Sequence, residues 1–212
     1  MKIVFGLFLA MVSFAGSAHG ALLGLVNTGT QTNVKWTQIS GPSPLVDVTT
    51  KNTVWSNQVG ASWIGPQSNA ETTSSPQGTY RYETTFDLSG VQHAGTIGVD
   101  LSFSVLYDND LALFLNGVSI PFASSPMGYA LPAAVVNLSG STGFNLAGLN
   151  TLRFDVTNAP PNGTNPSGLN VKFLTQNSFQ TPPNLPIPEP ASAVAFVGLC
   201  LGGFALRRRM AV

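Results

Sequence analysis

The chain lacks most of the side chains that carry covalent or metal chemistry. Its 212 residues include one cysteine and two histidines. The cysteine, Cys200, sits in an apolar run near the C-terminus, and one histidine, His19, sits at the end of an apolar N-terminal stretch. The body between them has no thiol nucleophile, no disulfide and no cysteine-based zinc site. Its one histidine, His93, follows a Ser89-Gly90 turn in a loop-like context and reads as a solvent-exposed loop residue. A Ser-His-Asp triad needs a histidine held by a carboxylate, and nothing in the sequence assigns one to it. There is no Gly-x-Ser-x-Gly elbow and no phosphate-binding glycine loop. Charge is scarce as well: Asp, Glu, Lys and Arg make up 8% of the chain, against about 25% in an ordinary soluble domain. Nine bases balance nine acids. That count excludes a coiled coil, a basic nucleic-acid binder and a charged disordered chain. What the chain has instead is 22 glycines, 15 prolines and many Ser, Thr and Asn residues, the composition of a turn-rich all-β protein.

The two ends read as addresses. Residues 1–20 have the form of a secretory signal peptide: Lys2, an uncharged run from Ile3 to Phe14, then small residues before a cut. Cleavage after Gly20 is the first choice, with Ala18 at the third-last position, and cleavage after Ala18 is the second. Residues 179–190 form a linker stiffened by Pro182, Pro183, Pro186, Pro188 and Pro190. Residues 191–212 follow, with an uncharged stretch from Ala191 to Leu206 and then Arg207, Arg208 and Arg209. As a helix at about 1.5 Å per residue that stretch spans roughly 24 Å, a little short of a bilayer core of about 30 Å. The arginines fit the positive-inside rule and would leave this end in the cytoplasm.

Pro188-Glu189-Pro190, the apolar span and the terminal arginine cluster together resemble the PEP-CTERM sorting signal. The resemblance implies a Gram-negative bacterium that makes exopolysaccharide, and processing near the Pro-Glu-Pro by an exosortase. It makes the inner membrane a transient partner, through a C-terminal transmembrane helix. It places the mature protein at the cell surface or in the extracellular matrix. The other reading of the same segment is an ordinary single-pass anchor.

The remaining residues, 21–178, alternate as half-buried strands do. Tyr80, Tyr82, Thr84, Phe86 and Leu88 share one face, against Arg81, Glu83, Thr85 and Asp87 on the other. Ile97, Val99, Leu101, Phe103 and Val105 repeat the pattern, as do Leu152, Phe154 and Val156, and Leu169, Val171 and Phe173. In Leu111–Leu115 the intervening Ala112 and Phe114 are also apolar, so this strand is expected to be covered on both sides. Asn116-Gly117 between Leu115 and Val118 is a two-residue hairpin signal. Ser167-Gly168 reads as a turn dipeptide. No stretch of the body carries a helical period. Eight to ten short strands at this spacing predict a single antiparallel β-sandwich or jelly roll.

The body also resembles a galactose-binding-like jelly roll. The resemblance rests on Trp63-Ile64-Gly65-Pro66, Gly78-Thr79-Tyr80, Asp108-Asn109-Asp110, Leu115-Asn116-Gly117, Gly148 to Phe154, and Pro166 to Leu169, in that order. It covers about residues 54–174 and implies a non-catalytic carbohydrate-binding domain, some of which hold a structural calcium. The tryptophans that often flank the Asp-Asn pair and follow the hairpin in that family are replaced or missing here.

For a sugar site the sequence offers Trp55, Trp63 and Tyr129 as stacking aromatics, with Asn57 and Gln67 as amide partners. The competing reading places the tryptophans in the core. Asp108, Asn109 and Asp110 are the densest oxygen donors and suit Ca²⁺, while the reading that their types favour is a turn, since Asp and Asn fold back on their own backbone. A glycosidase pair could draw on Glu71, Glu83, Asp100, Asp108 or Asp110, and nothing in the sequence brings two of them together. The sequence therefore predicts an exported, non-enzymatic module that interacts with exopolysaccharide. The alternatives are a structural matrix protein without a ligand and, behind it, a polysaccharide-acting enzyme. No nucleic-acid partner is expected.

Overall fold

A computed structural model describes residues 19–30, 32–89, 97–159 and 165–180. His93, the Pro-Glu-Pro motif, the C-terminal arginines and nearly all of the N-terminal apolar run lie outside the described residues. Among the described residues no helix is long and apolar enough to cross a membrane.

The described chain is all-β apart from one helical turn, α1 (Thr32–Lys35). Its strands are β1 (His19–Leu22), β2 (Trp36–Ser40), β3 (Val46–Asp47), β4 (Ile64–Gly65), β5 (Gly78–Asp87), β6 (Ile97–Asp108), β7 (Asp110–Leu115), β8 (Val118–Ile120), β9 (Ala134–Gly140), β10 (Leu149–Asn158) and β11 (Gly168–Gln180). They form two antiparallel sheets. The first runs β3-β4-β11-β6-β9, with β1 on the free edge of β11, and the second runs β2-β5-β10-β7-β8. The chain passes between sheets at every connection except β3–β4 and β7–β8, which is the connectivity of a jelly-roll sandwich.

The alternating residues form the core as the pattern requires. Tyr80, Tyr82, Phe86, Leu152, Phe154 and Val156 from one sheet meet Val99, Leu101, Phe103, Val105 and Val171 from the other, all buried. The ring of Trp36 lies 5.5 Å from Phe154, and Phe103 stands edge-on to both Phe154 and Phe173. Each such side chain contributes roughly 1.5–3 kcal/mol by leaving water. The indole N–H of Trp36 donates to the Val26 carbonyl at 3.0 Å, so this large ring is buried without losing a hydrogen bond.

The hairpin forms as expected. Asn116 and Gly117 both have positive φ, 52° and 80°, and Leu115 pairs with Val118. An L-residue with a short amide followed by glycine tolerates that pair of conformations. The expectation that β7 is covered on both sides is corrected. Leu111, Leu113 and Leu115 are buried, but Ala112 is exposed and Phe114 is half-exposed. What shields Phe114 is the guanidinium of Arg153, 3.9 Å above its ring, so a cation–π contact takes the place of a covering layer.

One core group is in deficit. The Tyr82 hydroxyl is fully buried and has no hydrogen-bond partner among the described residues, and desolvation pushes its pKa above the ordinary tyrosine value. A buried hydroxyl without a partner costs about 1–3 kcal/mol. Tyr82→Phe is therefore expected to raise the free energy of unfolding, by about 1 kcal/mol after the small loss of packing, as measured by urea denaturation. A destabilised variant would show that the hydroxyl is bonded after all.

Candidate functional site

The two tryptophans expected to hold a sugar are inside the protein, while Tyr129 is partly buried at their side. β6 and β11 have two covered faces, because the segment 48–75 folds back over the outside of the first sheet. Under it lie Leu106, Asn170, Ser104 and Ser102, all buried although they point away from the main core. Trp55 and Trp63 seal this second core: they are 1% and 2% exposed, and their rings stack at 4.2 Å. Neither ring offers a face to a ligand, so the expected stacking platform is corrected to a packing element. Gly168 makes room for it. A Cβ there would come within 2.7 Å of Trp55 and 3.0 Å of Trp63. The dipeptide that reads as a turn signal is thus the landing point of two indoles at the start of β11.

The other expected sugar ligands are also spoken for. Gln67 is buried; its amide donates to the Ser167 carbonyl and its oxygen accepts from the Ser75 hydroxyl. The Tyr129 carbonyl accepts from Ser56, and its side chain packs against the tryptophan cluster. Asn57 alone is exposed, beside a hollow of about 220 Å³ lined by Val48, Thr49, Lys51, Asn57, Ser62 and Trp63. A larger hollow of about 590 Å³ is lined by a single continuous segment, Trp36 to Leu45.

The acidic cluster divides in the same way. Asp108 turns inward. One of its oxygens accepts the Trp55 indole N–H at 2.8 Å, the other accepts the Asn109 amide at 2.6 Å, and the residue is 5% exposed. Asp110 faces out and accepts from Ser124 at 3.3 Å. The Asn109 side chain accepts from the Ala159 backbone N–H at 3.0 Å, and it lies 3.4 Å from the Asn165 amide, which bonds Asn158 at 2.9 Å. Asp108 and Asp110 therefore do not converge on one point, and among the described residues no three His, Cys, Asp or Glu side chains come together. Burial pushes the Asp108 carboxyl up to about 6, with the Trp55 hydrogen bond acting in the opposite direction.

Sequence reasoning passed over the outer face of the second sheet. Register puts Arg153 between Glu83 on β5 and Phe114 on β7, and Asp155 between Arg81 and Ala112. The Arg81 Nε stands 3.3 Å and the Arg153 Nε 3.0 Å from the two oxygens of Asp155. Thr37 pairs with Glu83, Thr85 with Thr151, and the hydroxyls of Thr79 and Thr157 meet at 3.1 Å. Between residues 21 and 188 the chain has five bases and eight acids. Two of those bases and two of those acids occupy adjacent positions here, with Asp87 and Asp110 at the margins. Arg81, Thr37, Thr85, Ala112 and Thr157 are exposed. Single strands disclose alternation but not which neighbours meet, so the signal for this patch was the concentration of charge on the polar faces of two strands.

No family model matches the chain, and no curated protein matches it. Among solved structures it is similar to a CBM35 module from Paenibacillus barcinonensis, at 14% identity and a TM-score of 0.30, over 66% of this chain and 98% of that one. It is similar at 11% identity and the same TM-score to a family 35 carbohydrate binding module from an environmental isolate, over 69% and 97% of the two chains.

Two outcomes are expected from the buried site. An acid whose pKa is raised by folding binds its proton more tightly in the native state. Its contribution to stability is therefore greatest below about pH 4, falls as pH rises to about 6 and is level above that. The loss is on the order of 3 kcal/mol. Asp108→Asn should remove that slope when unfolding is followed across pH 4–7, and an unchanged slope would place the raised group elsewhere. Gly168→Ala should cost about 1–3 kcal/mol by overpacking against the tryptophans. Indole fluorescence should shift as the pair is displaced.

Proposed function

We propose that this is an exported bacterial surface or matrix protein whose sandwich is a non-catalytic module interacting with exopolysaccharide. In this reading the N-terminal apolar run is a leader. The Pro188-Glu189-Pro190 tail is removed by an exosortase after transient anchoring in the inner membrane. The observation that carries the binding role is the exposed face of the second sheet. Arg81, Glu83, Arg153 and Asp155 stand there among threonines on neighbouring strands, with Arg81 exposed, Glu83 and Arg153 half-buried and Asp155 buried between the two arginines. Guanidinium and carboxylate groups at strand spacing suit the hydroxyls, and any carboxylates, of an extended glycan.

The test is retention on the producer's own polysaccharide by affinity electrophoresis. The folded domain should be retarded. Arg153→Ala combined with Glu83→Gln should weaken retention about tenfold or more, as expected for lost hydrogen bonds to charged groups, without unfolding the core. A folded domain that no glycan retards would leave the structural matrix role. Retention that the double variant does not change would move the site off this face. Independently, the secreted protein should lack Arg207, Arg208 and Arg209 by intact mass.

A further inference from the structure

Among the described residues five strands border the two sheets, and four of them carry devices that stop one sheet edge from pairing with another. β3 and β8 are short, with two and three residues. β1 has four, and the register shifts within it and within β2. Pro42 and Pro44 closely follow β2. β9 has none of these. It runs seven residues, Ala-Val-Val-Asn-Leu-Ser-Gly, without a charge or a proline, and its register with β6 is unbroken. Its far edge is open. Among the described residues β6 is the one strand beside it, and no loop backbone bonds to Ala134–Gly140. Such an edge presents a row of backbone donors and acceptors to any strand that fits it.

The strand that fits best is a second β9. Val135, Asn137 and Ser139 are exposed on the outer face of the sheet, while Val136 is buried on the core face with Ala134 and Leu138 half-buried on either side of it. Antiparallel pairing about a twofold axis at Asn137 sets Val136 opposite Leu138 twice on the core face. On the outer face it sets Val135 opposite Ser139 twice, with Asn137 opposite itself. Apolar therefore meets apolar on the core side, no charge meets its like, and the half-exposed Ala134 and Leu138 gain cover. A strand of another protein would have to match this order; a second copy matches it by symmetry, in the commonest type of closed assembly. We propose that β9 of one molecule pairs with β9 of a second about Asn137, joining their first sheets into one continuous sheet. This pairing is independent of the glycan-binding reading above.

The test is the mass of the full chain in solution, measured by light scattering across a dilution series in a mild detergent that keeps its apolar ends apart. The mass of two chains is expected at the concentrated end. A monomer throughout overturns the pairing and leaves the edge to a strand of another protein. Asn137→Lys sets like charges opposite each other at the axis and should weaken the dimer about tenfold or more. Circular dichroism and thermal unfolding should stay unchanged, because position 137 is exposed. Asn137→Glu should act alike, and mixing the two folded variants should restore a dimer holding one copy of each. That restoration requires the twofold register and does not follow from a change in folding. A mixture that stays monomeric overturns the pairing. So does a dimer that neither variant weakens, since it is held through the apolar ends or another face.

Discussion

The stack of Trp55 on Trp63 against bare backbone at Gly168 is the contact on which the upper part of the molecule depends. It turns a two-layer sandwich into one with a third, partial layer. Without it the outer face of β6 and β11 would expose Leu106 and leave Asn170, Ser104 and Ser102 to water. With it those groups are buried and need internal partners. Gln58 supplies part of them, donating to the Asn170 carbonyl and side-chain oxygen at 3.1 Å and accepting from Ser104, while the Asn170 side-chain nitrogen has no partner among the described residues. Asp108 belongs to the same arrangement: its carboxylate satisfies the Trp55 N–H, the one polar atom that stacking would otherwise strand. The cost is a carboxyl group held in apolar surroundings, which is why its proton affinity rises. Packing, hydrogen bonding and acidity at this end are therefore consequences of one covered sheet face.

That dependence also explains which parts of the fold could be read in advance. Alternation in Tyr80–Leu88 and Leu152–Val156 reports a sheet with one wet face, and there the core positions are the ones the pattern marks. It fails where a sheet has a second cover made of loop. Ser102 and Ser104 look solvent-facing by period, because a period of two encodes sidedness and not what lies on the far side. Trp55 and Trp63 fall in segments without period, so their burial depended on a long-range contact with Gly168, more than a hundred residues away. The glycine itself was visible as punctuation, but its role is to lack a Cβ beside two rings, not to adopt a left-handed backbone. Asn116-Gly117 is the contrasting case: its meaning is wholly local, and it formed as read.

The sites divide along the same line. The residues singled out for ligand binding were chosen by side-chain type, and tryptophan, glutamine and aspartate are also the side chains best suited to closing a polar-lined second core. The patch on the second sheet was hidden for a different reason. Arg81, Arg153 and Asp155 are up to 74 residues apart, and only the β5–β10 register makes them neighbours. A strand read alone gives no account of who stands beside it.

The stability that this patch provides is too small to be the reason for it. Exposed ion pairs contribute about 0–1 kcal/mol, and threonine on threonine, already used at Thr79–Thr157 and Thr85–Thr151, would keep the face soluble and in register. Asp155 is nearly buried, so its carboxylate is held at some desolvation cost between two arginines, and the Arg153 Nε–H has no acceptor in line with it despite standing 3.0 Å from one of its oxygens. Arg153 in turn lies over the Phe114 ring, which gives its guanidinium a second contact besides Asp155. A chain that uses charge as sparingly as this one has placed two guanidinium groups in a fixed, partly unsatisfied geometry on an open surface. Groups already held in place lose less freedom on binding a hydroxyl- or carboxylate-bearing partner, and the proposed binding role depends on this face for that reason.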